Sequence, residues 1–316
     1  MKIDRNFNFQ FNVSKPKQKN NIVIFFLSTT QKLNDNYSTL ADAFSQNLVE
    51  IKEINCSGAI NYLKVTNNSE KKLLILESEQ IIGDAIKQNR VVDSTTLIPE
   101  KSTIMLKVSC CEKNRWSPAI ANTLSISKSL YFSKGRTSSS ADIFKNQKTD
   151  QFKIWDEISD KMKEFKSKSF TGSLEDVYNM KKDNFEEIVK YFNPRENDVG
   201  VAIAIGCRLV SIDIFFNNNL LKVYLSKIIR SVVLDSYKKN YYQNFINEKN
   251  VHKLLRLIEQ SEKKMHKTQS GCLGEEIRFN SDQVVGSCLY FENKMLHFSG
   301  FLKDDMNIPQ FKSKVA

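Results

Sequence analysis

Apolar residues in the first third of the chain come in short alternating runs separated by Asn, Ser, Gly or Pro. That period of two predicts strands over residues 21–28, 48–54, 62–66, 72–79, 90–98 and 103–112. A short helix fits residues 40–47, between the first two strands. Residues 1–20 are polar and aperiodic, an extension expected to order only where something packs on it. Residues 124–149 are rich in Ser and Lys and read as a mobile connection or a short helix flanked by loop. Beyond them the period changes. Phe152, Trp155, Ile158, Met162 and Phe165 recur every three or four residues, which is the stripe of an amphipathic helix. Ser173, with Asp176 three positions on, predicts the N-cap of a second helix carrying Leu174, Val177, Phe185, Ile188 and Phe192, stopped by Pro194. Residues 199–216 read as strand, with Gly200 and Gly206 marking a bend or a close backbone approach. Leu220, Val223, Tyr224, Ile228 and Val232 outline a third helix, and residues 251–262 a further one. A meander over 276–279, 284–291 and 295–301 completes the pattern.

Strand runs segregated from helix runs predict an α+β fold: mainly antiparallel sheets of short strands, with about four amphipathic helices inserted in the middle and second half. The expected organisation is the 1–20 extension, one α+β domain over 21–303 and a tail over 304–316. Within the domain, 21–116 is strand-rich, 150–193 helical and 199–303 strand, helix and strand again.

Composition narrows the class. A chain of 316 residues with 41% hydrophobic content can bury a substantial core. No run approaches the roughly 18 apolar residues that would span a bilayer, and the polar start has no apolar leader, so a cytoplasmic protein without a membrane partner is expected. The cysteines Cys56, Cys110, Cys111, Cys207, Cys272 and Cys288 have no Cys-x-x-Cys spacing, which favours reduced thiols over a disulfide framework or zinc ribbon. The net charge of +11 raises nucleic acid as a partner. Dispersed lysines interleaved with acids do not favour it.

Residues 77–116 hold the densest candidate chemistry. On the predicted strands Glu77 and Glu79 continue an apolar face, Cys110 and Glu112 end another, and Arg90 lies in phase with Val92. If these strand ends converge, Glu77, Glu79 and Glu112 could act as acid, base or Mg²⁺ ligands. Arg90 and Arg115 could grip a phosphate, Gln88 and Asn89 could read a base or ribose, and Trp116 could stack on a nucleobase. The plainer alternative is an ion-pair network with Trp116 in the core. Asp213, Glu276, Arg278 and His297 are secondary candidates, with a core imidazole favoured for His297; His252 and His266 read as solvated. Cys110 is a further secondary candidate, for which the lack of a neighbouring His disfavours a catalytic thiol. No Walker A loop, Gly-x-Gly-x-x-Gly, His-Glu-x-x-His or Gly-x-Ser-x-Gly is present.

The segment LILESEQIIGDAIKQNRVVDSTTLIPEKSTIMLKVSCCEKNRW, residues 74–116, resembles the core of the domain family associated with ADP-ribosylglycohydrolase and rhodanese-phosphatase proteins. CLGEEIRFNSDQVVGSCLYFENKMLHFSGF, residues 272–301, resembles its final strands. The matched positions are Glu77, Glu79, Gly83, Gln88, Asn89, Arg90, Ser109, Cys110, Glu112, Arg115 and Trp116, then Glu276, Arg278, Gly286 and His297. Ser78 and Asp84-Ala85-Ile86 depart from the family pattern and leave that loop's shape open. The resemblance implies binding, with or without processing, of a nucleotide-like ligand related to ADP-ribose or NAD; an enzyme of this kind would be a hydrolase. It also implies a separate ADP-ribose-processing enzyme as partner. The alternatives are a non-catalytic metabolite sensor or scaffold and a basic nucleic-acid-binding protein.

Overall fold

The computed structural model describes residues 7, 9–30, 37–54, 61–83, 88–112, 124–167, 169, 172–236 and 246–303. The chain enters through β1 (Asn12–Val13) and β2 (Lys17–Lys19), both antiparallel to β3 (Ile22–Ser28), an apolar run with six of its residues buried. β4 (Ser38–Thr39) runs straight into α1 (Leu40–Ser45), capped by the Thr39 side chain, which accepts from the Asp42 N–H. Eight strands follow: β5 (Val49–Glu53), β6 (Tyr62–Asn67), β7 (Leu73–Ile75), β8 (Glu79–Ile82), β9 (Arg90–Val92), β10 (Thr96–Ile98), β11 (Ser102–Cys110) and β12 (Ser125–Leu130). Six of these form a sheet in the order β12-β8-β9-β11-β6-β5, and β10-β7-β4 form a small one.

The helical middle comprises α2 (Ser133–Asn146), α3 (Gln151–Glu164), α4 (Leu174–Met180) and α5 (Lys182–Tyr191). β13 (Asp198–Ile205) and β14 (Arg208–Phe215) then form a hairpin, α6 (Asn218–Ser236) and α7 (Glu248–Glu259) follow, and β15 (Glu262–His266), β16 (Glu275–Asn280), β17 (Val284–Phe291) and β18 (Lys294–Leu302) close the chain. The large sheet runs β1-β3-β13-β14-β18-β17-β16-β15, with β2 also on β3. All its pairs are antiparallel; the described strands include one parallel pair, β4 with β7. The fold is α+β, as the pattern predicts.

Both faces of the large sheet are covered. Phe7, Phe9, Phe11 and the apolar stripe of α7 (Val251, Leu254, Leu255, Ile258) pack on one face against Phe279 and Phe298. The other face meets α6, the helical middle and Leu74, Leu76 and Val91 from the strand-rich region. A separate core of Leu40, Leu63, Val65, Val92, Leu106 and Val108 fills the six-stranded sheet's outer side. No helix among the described residues is long and apolar enough to cross a membrane.

Several boundaries differ from the sequence pattern. The expected strand 72–79 breaks at Ser78, whose φ of 74° lies in the left-handed region and turns the chain between β7 and β8. The expected strand 90–98 is interrupted by Asp93, Ser94 and Thr95. Residues 199–216 are a hairpin, with Gly206 at φ 61° in the turn. The helix after Ser173 divides at Lys181 into α4 and α5. Residues 133–146, read as loop with at most a short helix, form the 14-residue α2. Its buried face is built from Ser133, Gly135, Arg136, Ser139 and Ser140 as well as Ile143 and Phe144, so a hydrophobic stripe hardly registers.

Candidate functional site

Cross-strand register gathers the site on the inner face of the large sheet. Directly paired residues share a face, and Asp213 pairs with Ser299, Ser299 with Ser287, Ser287 with Arg278 and Arg278 with Lys264. Two residues along, Phe215 pairs with His297, His297 with Leu289, Leu289 with Glu276 and Glu276 with His266. Two adjacent rows therefore carry an aspartate, two serines, a guanidinium, two imidazoles and a glutamate, with Lys264 at the end of the first. Gly286, next to this band, admits the backbone: a Cβ there would meet Ser299 O at 2.1 Å.

The facing wall comes from Glu77, from the Asp93–Thr95 interruption between β9 and β10, and from α2. Arg278, wholly buried, donates to Glu77 Oε2 at 3.0 Å, Ser94 Oγ at 2.9 Å and Asp93 O at 3.3 Å, and pairs with Glu276 Oε1 at 2.7 Å. Ser287 Oγ donates to the same Glu77 oxygen at 3.0 Å. Arg136 from α2 holds Asp213 through contacts of 2.6 and 3.4 Å while its guanidinium lies over the Phe301 ring. His297 Nε2 approaches Asp213 Oδ1 at 3.6 Å, and its Nδ1 lies 3.2 Å from Thr95 Oγ1. Thr95 Oγ1 also accepts the Glu77 N–H at 3.1 Å.

This wall opens into a cavity of about 220 Å³, lined by Asp93–Thr96, Lys107, Ile143, Gln147, His266–Gln269, Cys272, Leu273 and Glu276. Burial pushes the Asp93 carboxyl from its ordinary 3.8 up to about 6; the Ser109 hydroxyl, donating at 2.7 Å, and the nearby Lys107 and Arg278 charges oppose the rise without cancelling it. Burial likewise raises Glu276, against the pull of Arg278 and with the push of Glu77. His266 is lowered to about 4 by burial and by the Arg278 and Lys264 charges, so it is neutral at physiological pH. Glu77 Oε1 and Arg278 Nε are buried with no hydrogen-bond partner among the described residues.

The candidate residues of the sequence divide into three groups. Glu77, Asp213, Glu276, Arg278 and His297 join the network behind the cavity. Glu79 lies elsewhere, because the turn at Ser78 sends it into the apolar interior. There it accepts from Lys227 Nζ at 2.5 Å, Leu76 N at 3.0 Å and Tyr224 Oη at 3.4 Å. Gln88, Asn89, Arg90, Cys110 and Glu112 make a third cluster. Gln88 Nε2 donates to Glu112 O at 2.8 Å, Asn89 N to Glu112 Oε2 at 3.1 Å and Asn89 Nδ2 to Ser173 Oγ at 3.0 Å. Arg90 donates to Gln88 O at 3.1 Å and pairs with Glu53 at 3.4 Å. Arg90 pairs across the ladder with Cys110, one residue out of step with Ser109 and Val91, so it faces away from Asp93 and the cavity. Burial raises the Cys110 thiol to about 11, consistent with an inert side chain. Arg115 and Trp116 lie outside the described residues.

Residues 10–301 match the family model of the ARPP-1 domain, the ARG and Rhodanese-Phosphatase-superfamily-associated Protein domain. The chain belongs to that family. No curated protein and no solved structure matches it. In this ARPP-1 domain the sequence pattern did not single out Asp93, Thr95, Lys107 or the cavity position of His266. The available signal was the polar run Asp93-Ser94-Thr95-Thr96 inside an otherwise apolar strand pattern. Among the described residues no group of three or more His, Cys, Asp or Glu is placed to hold a metal ion, so the Mg²⁺ option lacks a ligand set there. The described cysteines Cys110, Cys111, Cys207, Cys272 and Cys288 are free thiols; Cys56 lies outside the described residues.

Proposed function

We propose that the cavity bounded by Asp93, Lys107, His266 and Glu276 binds the ribosyl-phosphate portion of a nucleotide-like ligand related to ADP-ribose. The observation that carries this reading is the pairing of two pKa-raised carboxyl groups with two lysines, Lys107 and Lys267, around one small polar cavity. Carboxyl oxygens and the Ser94, Thr95 and Thr96 hydroxyls suit the hydroxyls of a sugar, and ammonium groups suit a phosphate. Ile143, Cys272 and Leu273 give the cavity an apolar side for a ring face. At about 220 Å³ the cavity is smaller than a typical drug-sized site of roughly 300–1,000 Å³, so a sugar phosphate fits inside and a base would lie at the mouth. The family's link to ADP-ribosylglycohydrolase proteins points to the same ligand chemistry.

Isothermal titration with ADP-ribose, ribose 5-phosphate and free ribose tests the reading. The two phosphorylated compounds bind, ribose binds more weakly, and Lys267→Ala, on an exposed side chain at the mouth, weakens ADP-ribose by about 1.5–3 kcal/mol, the scale of a charged hydrogen bond. Absence of binding heat from either phosphorylated compound with folded protein refutes it.

A further inference from the structure

We propose that Thr95 is an activated nucleophile in this cavity, able to take an acyl group from an ester, with His297 as the base that receives its proton and Asp213 as the group that orients the imidazole. The inference rests on reading the cavity as a ligand site and adds the chemistry performed there.

The hydrogen-bond directions follow from the partners. Arg136 grips Asp213 through both oxygens; burial works against the Asp213 charge, but Arg136 and His297 outweigh it and hold the carboxyl below its ordinary range. His297 Nε2 makes no hydrogen bond within 3.5 Å among the described residues, and the Asp213 carboxylate 3.6 Å away favours a proton on that nitrogen through its charge. Nδ1 then carries the free lone pair, and it lies 3.2 Å from Thr95 Oγ1. Oγ1 already accepts the Glu77 N–H at 3.1 Å, so the hydroxyl's own proton is free to point at Nδ1. The same N–H would stabilise negative charge developing on Oγ1. Phe215, whose ring centroid is 4.9 Å from that of His297, keeps the imidazole in place. Thr95 lines the cavity, whereas His297 and Asp213 lie behind it, sealed from solvent. A nucleophile, a base in reach and a third group orienting the base form the general arrangement of an activated hydroxyl.

The step balances within these residues. A bond forms between Thr95 Oγ1 and the carbonyl carbon, the bond from that carbon to the leaving oxygen breaks, and the electron pair leaves with that oxygen. The hydroxyl proton passes to His297 Nδ1 and from there to the leaving oxygen, so the alcohol departs and His297 is neutral again. Water then attacks the acyl carbon, its proton passing to His297 Nδ1 and on to Thr95 Oγ1 as the bond from that oxygen to the acyl carbon breaks, which releases the acid and restores the hydroxyl.

p-Nitrophenyl acetate is the probe, with release of nitrophenolate followed by absorbance and the acetylated residue located by peptide mass spectrometry. Wild-type protein acquires one acetyl group on Thr95. Thr95→Ser retains the modification at that position, and Thr95→Val loses it. His297→Gln, which keeps a polar side chain without a basic nitrogen, slows acetylation by roughly a hundredfold, the scale of general-base assistance. In folded His297→Ala, added imidazole restores part of the rate, which a purely structural histidine would not allow. The proposal is overturned if folded wild-type protein carries acetyl groups on lysines alone or on no residue, or if His297→Gln labels Thr95 as fast as wild type. ADP-ribose titration of the same wild-type preparation is a separate readout: acetylation without ADP-ribose binding removes the ligand assignment and leaves the nucleophile standing.

Discussion

Replacing Asp93 by Asn should make the protein more stable at alkaline pH, and the structure sets the size of the gain. Asp93 is 4% exposed, and its carboxyl accepts from Ser109 Oγ at 2.7 Å. Burial raises its folded-state pKa from 3.8 to about 6. A raised carboxyl favours its protonated form in the fold, so the associated stability is complete below about pH 4 and is lost as pH climbs to 6. At about 1.4 kcal/mol per pKa unit, that rise corresponds to about 3 kcal/mol of stability forfeited once Asp93 is fully ionised. Asn keeps an oxygen for Ser109 and carries no charge. Urea unfolding of both proteins at pH 4, 6 and 8, with midpoints compared at equal slope, measures the difference. The advantage of Asp93→Asn should be near zero at pH 4 and approach 3 kcal/mol at pH 8. Glu276 titrates in both proteins and so largely cancels. A gap that fails to widen between pH 4 and 8, or a variant less stable than wild type at pH 8, would refute the account of Asp93 as a carboxyl held against ionisation.

Arg278→Met leaves Glu77 and Glu276 without their shared guanidinium and should lower stability by about 3–5 kcal/mol in chemical denaturation at pH 7. The loss should shrink at pH 5, where Glu276, already raised by burial, can take a proton. Lys227→Met should cost a similar amount by stranding Glu79, and the double variant Glu79→Gln/Lys227→Met should recover most of it, which unfolding curves of the three proteins would show. Arg90→Met should destabilise by about 1–3 kcal/mol, because Glu53 and Gln88 lose a buried partner, and should leave the ADP-ribose titration unchanged because Arg90 faces away from the cavity.

Local signals predicted local features well. The short helix expected over 40–47 is α1, Ser173 caps α4, and the stripe from Phe152 to Phe165 marks α3, although Phe152 is exposed and Ile154 is buried in its place. What strand alternation did not carry was backbone interruption. Counting from Leu73 by twos places Glu77 and Glu79 together, and one left-handed residue at Ser78 sends them to different networks. The helix α2 was hidden because it is buried through serines and an arginine, a composition that resembles loop. Asp213, Glu276, Arg278 and His297 were each visible as polar residues in apolar strands. Their meeting depends on β14 pairing with β18 and β18 with β17, a register between segments more than 70 residues apart at its widest, which no local pattern encodes.

The protein contains an internal comparison that bears on why so many charges are buried. Glu79 and Lys227 form an ion pair in the apolar core, and both Glu79 oxygens have close partners. The network of Glu77, Arg278 and Glu276 is built from the same residue types at comparable burial, but Glu77 Oε1 and Arg278 Nε are left without partners among the described residues, and Glu276 borders the cavity. A structural network gains nothing from unmatched buried polar atoms, each of which costs on the order of 1–3 kcal/mol. Apolar replacements along the same rows would pack against Phe215 and Leu289 without that penalty. Unmatched atoms are not confined to this network: Arg90 Nε and Arg136 Nε are also buried without a partner among the described residues, so Glu276, which borders the cavity, is the member of the network that a small polar guest can contact.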